Sequence, residues 1–153
     1  MRWAFLVLFC LWACQGAAAE KGGSVPSLPT GSVRFDTARG PWVVKVEIAA
    51  DDASRTRGLM FRKSLEADHG MIFIFPKADK YAFWMHNTPL SLDLIFLDDN
   101  RAVVGVVANA PPENDAPRSV GKPSRYVIEV SAGESAAHGV GPGTRVAFID
   151  IAE

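Results

Sequence analysis

The stretch Gly70-Met71-Ile72-Phe73-Ile74-Phe75 is apolar at nearly every position and is closed by Pro76. Short runs rich in β-branched and aromatic residues form strands. A strand without a polar face has to be covered on both sides, which places this one in the middle of a sheet rather than at a wet edge. The rest of the chain must supply its neighbours and its cover.

The flanking sequence supplies strands. Val33 and Phe35 alternate with Arg34 and Asp36, and Val44, Val46 and Ile48 alternate with Lys45 and Glu47. A period of two marks strands with one buried and one solvated face. Arg39-Gly40-Pro41 turns between them. Asp51-Asp52 is an N-cap signal for a helix over about Ala53 to Arg62. Gly58 inside that helix costs about 1 kcal/mol relative to alanine, which predicts a close approach there. Met60 and Phe61 are expected to face the core.

After the central strand, Pro76 to Lys80 is read as a turn and Tyr81 to Met85 as the return strand. Asn87-Thr88-Pro89 bends the chain, Leu90 to Leu97 is a further strand, and Asp98-Asp99-Asn100 turns it into a hairpin partner over Ala102 to Val107. Ala108 to Arg125 is a loop with four prolines, long enough to be functional or mobile. Tyr126 to Val130 is a strand, Glu134 to His138 a helical turn ended by Gly139, and Arg145 to Ile151 the last strand. The predicted fold class is α+β and β-rich. It is a mostly antiparallel sheet or partly open barrel of about seven or eight short strands, with one or two short helices.

The first residues have the layout of a secretory signal peptide. Met1-Arg2 gives a positive start, Trp3 to Trp12 is apolar, and Ala17-Ala18-Ala19 offers an A-x-A cleavage site before Glu20. The apolar stretch is shorter than the roughly 20 residues that span a bilayer, and no later segment is long enough to cross one. The expected organisation is a signal peptide over 1–19, a Gly/Pro/Ser-rich leader over 20–32 and a single β-rich domain over 33–153. Leu11-Trp12-Ala13-Cys14 offers an alternative, a lipobox that would leave a lipidated Cys14 as the N-terminus. Cleavage after Ala19 removes both cysteines, so the mature domain would have no disulfide, Cys nucleophile or thiolate metal site. The expected location is periplasmic or secreted. Lys and Arg number 16 against 17 Asp and Glu, a balance that argues against a nucleic-acid partner.

Several blocks resemble one family in order: Arg57-Gly58-Leu59-Met60-Phe61-Arg62, Gly70 to Phe75, Phe83-Trp84-Met85-His86-Asn87-Thr88, Leu92-Asp93-Leu94-Ile95-Phe96-Leu97 and Tyr126 to Gly133. Together they are similar to the domain of unknown function 192 family of bacteria and archaea, over roughly Val33 to Ile149. The resemblance implies a small β-rich fold with no established activity, substrate or cofactor. His86 stands where the resemblance leads one to expect Lys or Arg.

Two acids lie in otherwise apolar strands, Asp93 and Glu129. A carboxylate in such a place is costly unless partnered. Arg57, Arg62 and Asn87-Thr88 are the expected partners. One reading is a polar network that fixes strand register. The other is an acid/base or ligand site. Tyr81, Phe83 and Trp84 form an aromatic set suited to packing or to stacking on a ligand. Met60, Met71 and Met85 with His86 are soft enough to hold copper if they converge, although core packing also explains the methionines. His69, His86 and His138 have no zinc-motif spacing, and Gly139 to Gly143 reads as a turn.

The candidate ligand-binding residues are therefore Arg57, Arg62, Trp84, His86, Asn87, Thr88, Asp93 and Glu129. The leading expectation is an exported domain that binds a small polar ligand, or a protein or envelope partner, without catalysis and without a cofactor or metal. One alternative is an envelope hydrolase using Asp93 and Glu129 as acid and base. A second is a periplasmic copper-binding protein.

Overall fold

A computed structural model describes residues 27–153. The segments read as signal peptide and lipobox, and most of the expected leader, lie outside the described residues. Seven strands form one sheet: β1 (Thr30–Thr37), β2 (Gly40–Ala49), β3 (His69–Asp79), β4 (Leu92–Leu97), β5 (Val103–Ala110), β6 (Ser124–Ser131) and β7 (Arg145–Ile149). Two short helices complete the fold, α1 (Asp52–Arg57) and α2 (Glu134–His138). The spatial order is β5-β4-β6-β3-β2-β1-β7. The outermost strands meet end to end through a bridge between Ala102 and Arg145, so the sheet curls into a half-barrel. The β-rich, partly open barrel expected from the sequence is the observed architecture.

β3 is central, as its apolar run requires. It pairs with β6 antiparallel and with β2 parallel, the single parallel pair in the order. That pair needs a crossover, and α1 with the turns after it provides one. The residues of β3 alternate between two packed faces. Ile72 and Ile74 join Val33, Val44, Ile95, Ile128 and Val130 on one side. Met71 and Phe73 join Leu59, Met85, Leu94, Phe96 and Val127 on the other. α2 lies near the first face, and the segment after α1 covers the second.

Tyr81 to Met85 is not a return strand. β3 runs on through Pro76 to Asp79, with its ladder to β6 broken between Ile74 and Asp79 where proline cannot donate. β2 and β6 occupy both edges of β3 over Gly70 to Phe73, so a returning strand finds no partner along that apolar run. The segment instead clamps onto the proline-rich loop. Phe83 N–H donates to Arg118 O at 2.8 Å, Arg118 N–H to Phe83 O at 2.7 Å, and Met85 N–H to Asn114 O at 2.9 Å.

The helix expected over Ala53–Arg62 stops at Arg57. Asp51 caps it through a reciprocal pair with Ser54. Gly58 then takes φ +48°, which ends the helix, and a Cβ there would lie 3.2 Å from the Phe73 ring. The close approach is thus real, but it belongs to a helix end. Phe61 does not face the core: it has φ +65° and is 62% exposed. β1 begins at Thr30, inside the segment expected to be leader. β4 and β5 form the expected hairpin, and Gly139 closes α2 in the left-handed region.

Candidate functional site: a cleft with a buried acid

The register places Asp93 and Glu129 on opposite faces of the sheet. Glu129 is opposite Met71 on one side and Leu94 on the other, and Asp93 is opposite Val130. Neighbouring positions in a strand point to opposite faces. Glu129 therefore shares the face of Met71 and Leu94, and Asp93 the face of Val130. The sheet separates the two acids, so they do not form an acid/base pair.

Asp93 is sealed and fully bonded. Its Oδ1 accepts Asn109 N–H at 2.8 Å. Its Oδ2 accepts Gly133 N–H at 3.1 Å, Ser135 N–H at 3.0 Å and Ser135 Oγ–H at 2.5 Å. It fastens β4 to the end of β5 and to the entry of α2. The partners expected from sequence were Arg57, Arg62 and Asn87-Thr88. The actual partners are backbone amides and one hydroxyl.

Glu129 is the opposite case. It is 5% exposed, and among the described residues no hydrogen bond or ion pair reaches its carboxyl. Burial pushes this acid up to about 8, so it carries a proton at neutral pH. It sits in the lining of an open cleft of about 320 Å³. α1 and the turn after it form one wall, with Arg55, Arg57, Gly58, Leu59 and Met60. Tyr81, Phe83 and Trp84 line the cleft from the clamped segment, and Phe73, Phe75, Thr88 and Glu129 complete it. Phe83 makes edge contacts with Phe73 at 5.1 Å and with Phe75 at 6.2 Å, and Tyr81 stacks on Phe75 at 3.7 Å. Trp84 is 52% exposed. Such a cleft offers an apolar body, a polar rim and a hydrogen-bonding group inside it, the usual composition of a small-molecule site.

Of the candidate residues, the fold brings Arg57, Trp84, Thr88 and Glu129 to this cleft. Arg62 turns away and forms a two-pronged pair with Glu47 at 2.5 and 2.6 Å. His86 stacks under Trp84 at 5.1 Å and meets Asp115 at 2.9 Å. Asn87 acts through its backbone, with φ +48° and its carbonyl accepting Phe61 N–H at 2.7 Å. Thr88 Oγ donates to His86 O at 3.0 Å. Asp93 belongs to the other face. Sequence reasoning missed Arg55, Phe73 and Phe75 as cleft residues. Phe73 and Phe75 read as strand core, and nothing in the order of residues shows that the clamped segment leaves one edge of that core open.

Met71 and Met85 are sealed in the core beside Leu92 and Phe96, so packing accounts for both. A different set, Asp68, Glu134 and His138, brings ligand-type atoms within 4.8 Å of one another. Each already has a partner there: Trp42 Nε1–H donates to Asp68 at 2.6 Å, and His138 Nε2 lies 3.3 Å from Glu134 while its ring stacks on Trp42.

The comparisons with known proteins follow the same frame. A UPF0127 protein of Pyrococcus abyssi (strain GE5 / Orsay) is 34% identical over 110 residues, 71% of this chain and 89% of its own length. A crystal structure of a proposed transcription regulator from Sinorhizobium meliloti 1021 superposes with a TM-score of 0.79 at 34% identity, covering 84% of this chain and 100% of that one. A protein of unknown function from Novosphingobium aromaticivorans DSM 12444 superposes with a TM-score of 0.76 at 32% identity, covering 86% and 99%. The family model DUF192, described as Uncharacterized ACR, matches residues 34–148. That span runs from β1 into β7 and contains the residues of the cleft. The chain therefore belongs to the DUF192 family.

Proposed function

We propose that this domain is an exported binding module that takes a small ligand into the cleft over Glu129 and performs no reaction on it. The observation that carries the proposal is the Glu129 carboxyl, which has no hydrogen-bonding partner among the described residues and lies in the lining of an open cleft. A ligand group that displaced water from this carboxyl and bonded it inside the enclosed cleft would gain affinity, because a hydrogen bond is stronger away from bulk water. Binding is favoured over hydrolysis because Asp93 lies across the sheet. In the cleft lining Asp52 is tied to Arg55, Thr56 Oγ donates to the Asp52 carbonyl and Thr88 Oγ donates to the His86 carbonyl, so no free base stands beside a nucleophile.

A fragment screen by NMR on the isotope-labelled domain tests this reading. Binders should shift the Trp84 indole N–H and the Gly58 and Glu129 amides together. Fragments that shift only residues elsewhere, or none that bind, would overturn it. Export is the other half of the proposal and rests on the charged start, the apolar stretch and Ala17 to Ala19. Mass spectrometry of the mature protein should find Glu20, or a lipid-modified Cys14, at the N-terminus. Intact Met1 on material recovered from the cell envelope or medium would refute it.

A further inference from the structure

We propose that the group received by Glu129 is a protonated or methylated amine carried on an apolar body. The inference rests on the cleft being a binding site and names what enters it.

The geometry of the two arginines is the first support. Both line the same cleft as Glu129, yet among the described residues neither pairs with it. Arg55 is consumed by other partners: it donates to the carbonyls of Ala50 and Ile74 and to the Asp52 carboxylate. Arg57 lies over the ring of Phe61, at 6.0 Å from its centre. The fold thus buries an acid and holds its own cations away from it. A buried carboxylate is retained at reasonable cost only when a counter-charge reaches it. In the empty cleft Glu129 is protonated and carries no such charge; once ionised, it would take its counter-charge from outside the chain.

The second support is the surrounding chemistry. Tyr81, Phe83 and Trp84 line the space around the acid, and the negative faces of aromatic rings attract a desolvated cation, a trimethylated one included. The charged and titratable groups lining the cleft are Asp52, Arg55 and Arg57 from the α1 wall and Tyr81 from the clamped segment. The strand neighbours of Glu129 on its own face, Met71 and Leu94, are apolar. In the empty cleft the acid is protonated at neutral pH. When an ammonium group binds, the carboxyl proton leaves to solvent and the carboxylate pairs with the cation.

Benzylamine, benzamide and benzoate share one shape and differ in the charge of the head. Each is titrated calorimetrically into the domain at pH 7, in phosphate and in Tris, so that released protons register as a buffer-dependent heat. Benzylamine should bind about tenfold or more tightly than the other two, release close to one proton per complex, and lose that advantage in Glu129→Gln. If benzamide or benzoate binds as well or better, and Glu129→Gln abolishes it, the amine inference falls while the cleft reading stands. Benzylamine binding unchanged by Glu129→Gln overturns the inference by placing the amine elsewhere. No binding of any probe up to its solubility limit overturns both.

Discussion

Replacing Glu129 by glutamine should make the domain more stable, and by an amount that depends on pH. The side chain keeps its size, so packing against Met71 and Leu94 is preserved. What disappears is a proton that the folded protein holds and the unfolded chain does not. In the unfolded state this acid titrates near its usual 4.5, while in the fold burial moves it to about 8. Below 4.5 both states are protonated and the group is neutral to stability. Between the two values the folded state binds more protons, so wild-type stability falls as pH rises, by about 1.4 kcal/mol per pH unit. At pH 7 the loss is roughly 3 kcal/mol, and it levels off near 5 kcal/mol above pH 8. Glutamine has no such proton. Urea unfolding of both proteins from pH 4 to pH 9 measures the difference directly. The expected result is that the curves coincide near pH 4 and diverge in favour of Glu129→Gln up to about pH 8. Parallel curves across that range would refute the reasoning, because they would mean that Glu129 finds a partner or solvent in the folded protein.

Asp93→Asn should act in the other direction. One amide NH₂ must then face at least one of the four donors that now point at the carboxylate, and urea unfolding should show a loss of about 2–4 kcal/mol. A change below about 0.5 kcal/mol would refute the strut. Gly70→Ala drives a methyl into the backbone oxygen of Glu129, which a Cβ there would approach to 2.3 Å. Thermal melting should show a destabilisation of about 2 kcal/mol or more, with the clamped loop unaffected by proteolysis below the melt. A competition titration against a Cu(I) chelator should find no affinity beyond that of an exposed histidine, since Met71 and Met85 are sealed. Tight binding lost in Met85→Leu would show that the core opens to the metal.

The strand pattern was legible because burial on one face or both imposes a period on the residues themselves. Val44, Val46 and Ile48 alternate, and Met71 to Ile74 do not, because β2 ends up with a wetter outer face and β3 lies at the centre of the sheet. Asp51 and Gly139 were legible for the same local reason: a cap is decided within a few residues. The two buried acids could also be picked out, as charges in apolar strands. Their roles could not. Which face each occupies depends on the register between β3, β4 and β6, set by pairings between residues 29 to 60 apart in the chain, and a slip of one residue would exchange the faces.

The site itself was decided by tertiary structure. Tyr81 to Met85 has strand-like composition, yet β2 and β6 occupy both edges of β3 over Gly70 to Phe73, and the segment ties instead to the proline-rich loop at Arg118. That displacement brings Trp84 and Thr88 to Glu129. Arg62 and Arg57 look equivalent in the chain. The positive φ at Gly58 ends the helix between them and sends one to Glu47 and leaves the other at the cleft. The sequence alone determined the fold class, because hydrophobic periodicity is a local property of the chain. Whether a buried carboxyl is a strut with four donors or an acid waiting for a partner is a property of its neighbours in space, and those are set only when the sheet closes.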